Sequence, residues 1–343
     1  MKAIKTMLAA AILLVVAPVH ADQMTSLRKT VPVNYAVVAQ DHLPLAEQGN
    51  VKSQSLMAQL YLLGEGVRQD DAKALEFARK AAEQGDVNAQ VLAGVIYVDG
   101  RGVPRDEAEA LAWFRKAAAQ GDSEAEFQTA LMLSQGRGAP MDEAAAAGIF
   151  EKLATSGHAE SQYALSIMLT NGLGVERNDE QAVAWLRKAA AQGLVSAQFN
   201  LGLMYEIGRG VEQNDKQALE WYGKAANQGD ADAQYVLGTF YASGRSVKRD
   251  DRIAAQWFQR AAAQGDAEAR VYLGEMALEG RTTPATDREA MTWYQRAAEQ
   301  GDIEAQHYMG LLYELGLGVK QDPERAREWY RRAQETYLRR SAA

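Results

Sequence analysis

The chain has 343 residues, 47% of them hydrophobic, and its 45 acidic and 37 basic side chains give a formal net charge of −8. The hydrophobic fraction is sufficient for a buried interior. The acidic balance disfavours nucleic acid as a partner, because phosphate contacts require a basic face. The sequence contains no cysteine, which excludes disulfide bonds and a lipid anchor attached through cysteine.

Residues 1–21 have the composition of a secretory signal peptide. Two lysines precede an apolar segment at residues 7–17, and small or apolar residues lead up to Ala21. The alternative is an uncleaved membrane anchor, but the apolar segment is shorter than the ~20 residues of a spanning helix, and Pro18 would break it. We therefore expect cleavage near Ala21, a periplasmic or secreted protein, and no integral membrane segment after cleavage.

Residues 22–48 form a segment that does not follow the repeat of the rest of the chain. Its valines fit either a helix or an extended stretch, while Pro32 and Pro44 disfavour one long helix. Residues 45–48 are similar to the end of a degenerate second helix. We interpret residues 22–48 as an N-terminal cap or a degenerate half-repeat.

From residue 49 onward, glycines recur every 36 residues. They are Gly49, Gly85, Gly121, Gly157, Gly193, Gly229, Gly265 and Gly301. A fixed period of this length is typical of a chain that stacks one supersecondary unit many times. The region 49–336 thus divides into eight repeats, 49–84, 85–120, 121–156, 157–192, 193–228, 229–264, 265–300 and 301–336, followed by a C-terminal tail at 337–343.

Each repeat carries the signals of two helices when its first glycine is numbered position 0. In the second repeat, Asp86 at position 1 is a helix N-cap, and Gly100 at position 15 supplies the left-handed residue that ends the first helix. Asp106 at position 21 caps the second helix after a six-residue loop. The repeat therefore predicts a helix-loop-helix unit.

Apolar residues recur at fixed positions of the two helices. Position 9 is always small and position 25 is always alanine, which favours close helix packing. All six tryptophans occupy position 28, and we expect them to fill the space that the alanines leave: Trp113, Trp185, Trp221, Trp257, Trp293 and Trp329. One repeat cannot bury these faces alone, so neighbouring repeats must stack.

The segments 197–205, 208–211 and 218–226 together resemble the Sel1-like repeat family, which is related to tetratricopeptide repeats. The resemblance covers roughly residues 46 to 334. With the period, it predicts an all-α fold, a right-handed α-solenoid of eight 36-residue repeats. Local departures occur in the third repeat, which has Ile149 at the tryptophan position, and where Ser246 and Thr282 replace a loop glycine.

Positions 3, 6 and 10 of the first helix share one stripe of its surface. The candidate binding residues are Phe127, Tyr163, Phe199 and Tyr235 at position 6, Leu131, Ile167 and Leu203 at position 10, and Glu124, Glu160 and Asp232 at position 3. This pattern predicts a groove with an apolar floor and an acidic edge, suited to a cationic segment of another protein. Two alternatives stay open: the aromatic residues belong to the core, and the acids serve the helix dipole.

The sequence offers little for catalysis or for a bound metal ion. The histidines, His20, His42, His158 and His307, form no metal-binding motif, and we expect His158 at a helix cap and His307 on a helix surface. Residues 26–29 match the Ser-x-x-Lys pattern of penicillin-recognising enzymes without the partner motifs. We assign no catalytic residue, no metal and no cofactor.

The predicted function is an exported adaptor that binds another protein or peptide on the concave face of the solenoid. What is known of Sel1-like proteins implies the same kind of scaffold. Two alternatives are an enzyme, either β-lactamase-like or acting on cell-wall fragments, and a binder of peptidoglycan or polysaccharide.

Overall fold

The computed structural model describes residues 34–281 and 301–341, together with residues 288, 291, 292, 294, 295, 298 and 299. The predicted signal peptide, the Ser-x-x-Lys segment and Thr282 lie outside the described residues. The described chain falls into two compact units, which divide between Trp185 and Leu186.

In the first unit, the helices α1 to α8 pack in sequence, each of α1 to α7 against the next one along the chain. The bounds are α1 Tyr35–Glu47, α2 Val51–Leu63, α3 Asp71–Glu83, α4 Val87–Asp99, α5 Glu107–Ala118, α6 Ser123–Ser134, α7 Glu143–Thr155 and α8 Ala159–Asn171. The division between the units falls within α9, Asp179–Ala191.

The second unit continues the same alternation of first and second helices. Its helices are α10 Val195–Ile207, α11 Asp215–Asn227, α12 Ala231–Ser243, α13 Asp251–Ala263, α14 Ala267–Leu278, α15 Ile303–Leu315 and α16 Pro323–Ser341. The last helix extends through Ser341, so it includes most of the segment that the sequence predicts to be a tail.

Helix ends follow the capping residues that the sequence indicates. The Asp86 side chain accepts a hydrogen bond from the backbone N–H of Ala89 at 2.8 Å, and Gly100 ends α4 with φ 69°. A residue with a Cβ is strained at such a φ. Ser246, which replaces a loop glycine, adopts φ 57°, so the loop keeps its left-handed turn there.

The helix α1 differs from the sequence expectation because it runs through Pro44 as one helix of 13 residues. Asn34 caps its N-terminus by accepting from the backbone N–H groups of Ala36 and Val37. Asn34 lies 36 residues before the cap Asp70. The helix α1 therefore occupies the register of a second helix.

Most of the deeply buried large aromatic side chains among the described residues lie at position 29, one residue after the tryptophan position. Tyr222 is 1% exposed and Phe258 is fully buried, whereas Trp221 and Trp257 are half-buried. Each of these tryptophans lies under a basic residue at position 31, with Lys224 Nζ 3.6 Å from the centre of the Trp221 ring. The expectation that tryptophan fills the interior was thus wrong for these two repeats, where the neighbouring aromatic residue does so.

Glutamines at position 5 connect helices inside each unit. Gln90 is 4% exposed, and its side-chain amide donates to the carbonyl oxygen of Ala82 at 3.1 Å. Gln120 in turn donates to the Gln90 side-chain oxygen at 2.8 Å. These bonds satisfy polar groups that would be costly to bury unpaired. In the third repeat the position holds Glu126, which pairs with Lys152 at 2.6 Å.

Arginines at position 16 connect consecutive repeats. Arg101 Nη2 lies 2.8 Å from Asp71 Oδ1, and Arg137 Nε lies 2.7 Å from Glu107 Oε1. In both pairs the acid occupies position 22 of the preceding repeat, 30 residues earlier. Ion pairs with half-exposed partners contribute about 1 kcal/mol or less each, but their register aligns each loop with the helix before it.

Candidate binding site

Five of the candidate binding residues line one small cleft in the first unit. Phe127 and Leu131 come from α6, while Glu160, Tyr163 and Ile167 come from α8. The cleft has a volume of about 50 Å³. The structure therefore brings together apolar side chains and one carboxylate from two consecutive repeats.

The aromatic side chains of the cleft are well packed. Phe127 is 4% exposed and Tyr163 is 5% exposed. The ring centre of Phe127 lies 5.6 Å from that of Phe150 and 5.1 Å from that of His158. These residues thus support the fold and also form the walls of the cleft, so their truncation would cost stability as well as any binding.

A histidine cap lies beside the acidic edge of the cleft. His158 begins α8, and its Nδ1 accepts a hydrogen bond from the backbone N–H of Ser161 at 3.2 Å. The predicted cap position of His158 is confirmed. The other ring nitrogen, Nε2, lies 3.7 Å from Glu160 Oε2. The other predicted acid of this unit, Glu124, accepts a hydrogen bond from Gln128 at 2.8 Å.

Six further cleft residues were missed by the sequence reasoning. They are Ser134, Glu143, Phe150, Ala164, Met168 and Leu173. Glu143 occupies position 22 of the third repeat, and Leu173 occupies position 16 of the fourth. Position 16 carries an arginine in the second, third, fifth, sixth and seventh repeats, so the change to leucine is a signal that the sequence did contain.

In the second unit the predicted residues lie on α10 and α12. Leu203 is 4% exposed, while Phe199 and Tyr235 are half-buried. The Phe199 ring centre is 5.4 Å from that of Tyr222, and the Tyr235 ring centre is 5.9 Å from that of Phe258. Position 6 therefore rests on the position-29 aromatic residue of the same repeat and keeps part of its ring accessible.

Acidic side chains gather beside this aromatic surface of the second unit. Burial raises the pKa of Asp232, and the nearby Asp230, Asp266 and Glu268 raise it further. Burial likewise raises the pKa values of Asp230 and Asp266. Charged carboxylates in this environment repel one another, so a cationic group placed among them would be stabilised.

Other candidate chemistry receives no support from the described residues. No three His, Cys, Asp or Glu side chains among them lie close enough to hold a metal ion. His307 is exposed on α15, as the sequence predicts. None of the helices that the structure describes combines the length and the apolar character needed to cross a lipid bilayer.

Comparisons with known proteins identify the family. The Sel1 repeat model matches residues 51–86, 87–122, 123–158, 159–194, 195–230, 231–266, 267–302 and 303–333. A comparison with curated proteins finds no match.

Two solved structures are 34% identical to this chain. The Sel1 repeat protein from Oxalobacter formigenes has a TM-score of 0.61, over 89% of this chain and 91% of its own. The protein c5321 is a protective antigen present in uropathogenic Escherichia coli strains and displays an SLR fold. It has a TM-score of 0.52, over 84% of this chain and 69% of its own.

The chain belongs to the Sel1 repeat family. The predicted family and the predicted fold class, an all-α solenoid of eight repeats, are confirmed by the eight matches and by the likeness to these structures. Sel1 repeat proteins are in general protein-interaction scaffolds rather than enzymes.

Proposed function

We propose that this protein is an exported scaffold that binds a segment of another protein on the surface formed by its first helices. The observation that carries the proposal is the cleft between α6 and α8, where five residues selected from the sequence converge. An apolar cleft with a few polar groups at its edge is the usual form of a peptide-binding site.

The charge of this surface supports a cationic partner. Glu143 and Glu160 line the cleft in the first unit, and Asp232 lies among other carboxylates in the second. Opposite charge on the partner would increase the rate of association and select against acidic competitors. Nucleic acid is disfavoured for the same reason.

Export is supported by the composition of residues 1–21. We expect the protein in the periplasm or the medium, with Asp22 as its first residue. N-terminal sequencing of the protein recovered by osmotic shock tests this expectation. Recovery of the full-length chain from the cytoplasm would contradict export without affecting the binding proposal.

Site-specific photocrosslinking in intact cells tests the binding surface. Ala164 lines the cleft and is partly accessible, whereas Glu151 is exposed on α7 and is absent from the cleft. A photoreactive residue at position 164 should capture a discrete protein that position 151 does not capture. Equal capture from both positions, or capture of glycan from position 164, would contradict the proposal.

A separate assay addresses the enzymatic alternative. The purified chain is mixed with a chromogenic β-lactam, and the Ser26→Ala variant is the control. We expect no turnover above the rate without protein. Turnover that the substitution abolishes would show that the chain is an enzyme.

A further inference from the structure

Two of the arginines at position 16, Arg101 and Arg281, have the same pair of binding groups. Arg101 Nη2 donates to Asp71 Oδ1 at 2.8 Å and to the carbonyl oxygen of Leu62 at 2.8 Å. Arg281 does the same with Asp251 and with the carbonyl oxygen of Ala242, at 2.6 and 3.2 Å. In both cases the acid is at position 22 and the carbonyl at position 13 of the preceding repeat.

The corresponding groups between the third and fourth repeats face a leucine. The acid at position 22 is Glu143, position 13 is Ser134, and position 16 is Leu173. All three residues line the cleft. Within residues 34–281 and 301–341, Glu143 forms no ion pair, in contrast to Asp71 and Asp251.

The backbone around Glu143 keeps the arrangement of the other repeats. A Cβ at Gly102 would lie 2.7 Å from the backbone carbon of Asp71, and a Cβ at Gly174 would meet the backbone of Glu143 in the same way. The loop that carries Leu173 thus packs against α7 as the loop with Arg101 packs against α3. The acid therefore remains in arginine-binding register although the chain supplies no arginine.

We propose that the cleft binds an arginine side chain of a partner polypeptide. Its guanidinium group takes the place that Arg101 and Arg281 occupy in their repeats, donating to the Glu143 carboxylate and to the Ser134 carbonyl oxygen. A planar fork of donors reaches both acceptors at once, which a lysine ammonium does less well. This inference rests on the proposed function, because it assumes a partner segment on the first-helix surface.

The walls of the cleft define the neighbouring residues of the partner. Phe127, Phe150 and Tyr163 form an apolar and aromatic surface beside the two carboxylates. The methylene stem of an arginine and an apolar residue next to it would bury surface here. The recognised segment is therefore an arginine flanked by apolar residues, with Glu160 adding a second negative charge.

Two fluorescein-labelled peptides test the inference with purified protein. One carries Leu-Arg-Leu between Gly-Ser spacers, and the other replaces arginine with citrulline, a neutral side chain of the same shape. Fluorescence anisotropy should show at least about tenfold tighter binding of the arginine peptide, the range of one charge-assisted hydrogen bond. No binding of the arginine peptide, or equal binding of the two, overturns the inference.

Three variants place the binding in the cleft. Leu173→Arg restores the arginine of other repeats and should remove the preference for the arginine peptide while the thermal midpoint is kept or raised. Glu143→Gln keeps the size of the side chain but removes its charge, and it should also remove the preference. Leu317→Arg adds the same charge at position 16 of the eighth repeat and should retain it. A preference that persists in Leu173→Arg or Glu143→Gln overturns the inference.

The photocrosslinking experiment separates this inference from the scaffold function. Capture of a protein from position 164 together with equal binding of the two peptides leaves the scaffold and rejects the arginine site. The opposite result is a tenfold peptide preference that the variants remove, with no protein captured in cells. It supports the arginine site and rejects the proposed scaffold function of the first-helix surface.

Discussion

Replacement of Gly202 by alanine should destabilise the second unit, although alanine is the better helix former. A Cβ at position 202 would lie 2.8 Å from Cδ1 and 2.9 Å from Cε1 of Tyr222. That ring is 1% exposed, and its hydroxyl donates to Glu206 Oε2 at 2.7 Å. Glu206 is itself paired with Arg245 at 2.6 Å, so the ring is held at both ends and cannot move aside freely.

The expected size follows from two opposing effects. Glycine to alanine within a helix stabilises it by about 1 kcal/mol. Insertion of a methyl group into a packed interior costs about 1–3 kcal/mol. The net result for Gly202→Ala is a loss of about 1 kcal/mol in the free energy of unfolding. Gly223 is the matched control, because a Cβ there meets nothing within 4 Å, and Gly223→Ala should stabilise by about 0.5–1 kcal/mol.

Urea denaturation followed by far-ultraviolet circular dichroism measures both effects. A double mutant isolates the contact. Ala58 and Ala78 hold positions 9 and 29 in the first repeat, so Gly202→Ala with Tyr222→Ala reproduces a natural pair. Without the ring, Gly202→Ala should become stabilising. If Gly202→Ala in the wild-type chain stabilises as much as Gly223→Ala does, the assigned close packing at position 9 is wrong.

Replacement of two carboxylates in the second unit by asparagine should have opposite effects on the urea midpoint. Burial and neighbouring carboxylates raise the pKa of Asp232 above 3.8, so Asp232→Asn should raise the urea midpoint at pH 7, and this gain should shrink as the pH falls towards 3.8. The hydrogen bond from Arg281 lowers the pKa of Asp251 to about 2. Asp251→Asn should therefore lower the midpoint at pH 7, and this loss should disappear between pH 3.8 and about 2. A lower midpoint for Asp232→Asn together with a higher one for Asp251→Asn at pH 7 would contradict both pKa assignments. Gln234→Leu should cost about 1 kcal/mol in urea denaturation, because the Ala226 carbonyl and the Gln264 amide each lose a hydrogen bond to Gln234 and keep their bonds to Gly229. Unchanged stability would show that the bonds to Gln234 contribute nothing.

The helix boundaries could be predicted from the sequence because capping is local chemistry. An aspartate accepts from an N–H group three residues later, as Asp86 does from Ala89, and a glycine such as Gly100 ends a helix through its own φ. These interactions involve residues within one turn of each other. The 36-residue period repeats these capping interactions along the chain, and this repetition determines the family and the fold class.

The assignment of the buried aromatic residue was not available from the sequence. Tryptophan at position 28 and tyrosine or phenylalanine at position 29 are adjacent on one helix, and both are large and apolar. Only the approach of the first helix decides between them: Gly202 leaves room for the Tyr222 ring, while Trp221 remains near the surface under Lys224.

Part of the candidate site could likewise be predicted from the sequence and part could not. Its floor, including Phe127 and Tyr163, could be predicted because helical spacing places positions 6 and 10 on one side of a helix. The role of Glu143 could not, since it depends on Leu173, a residue 30 positions away in the next repeat. The sequence alone determined which segments are helical and which side chains share a helix face, because these are properties of one turn of backbone. Which of those side chains lack a partner was decided by the tertiary structure, because pairing depends on distances between helices that only stacking sets.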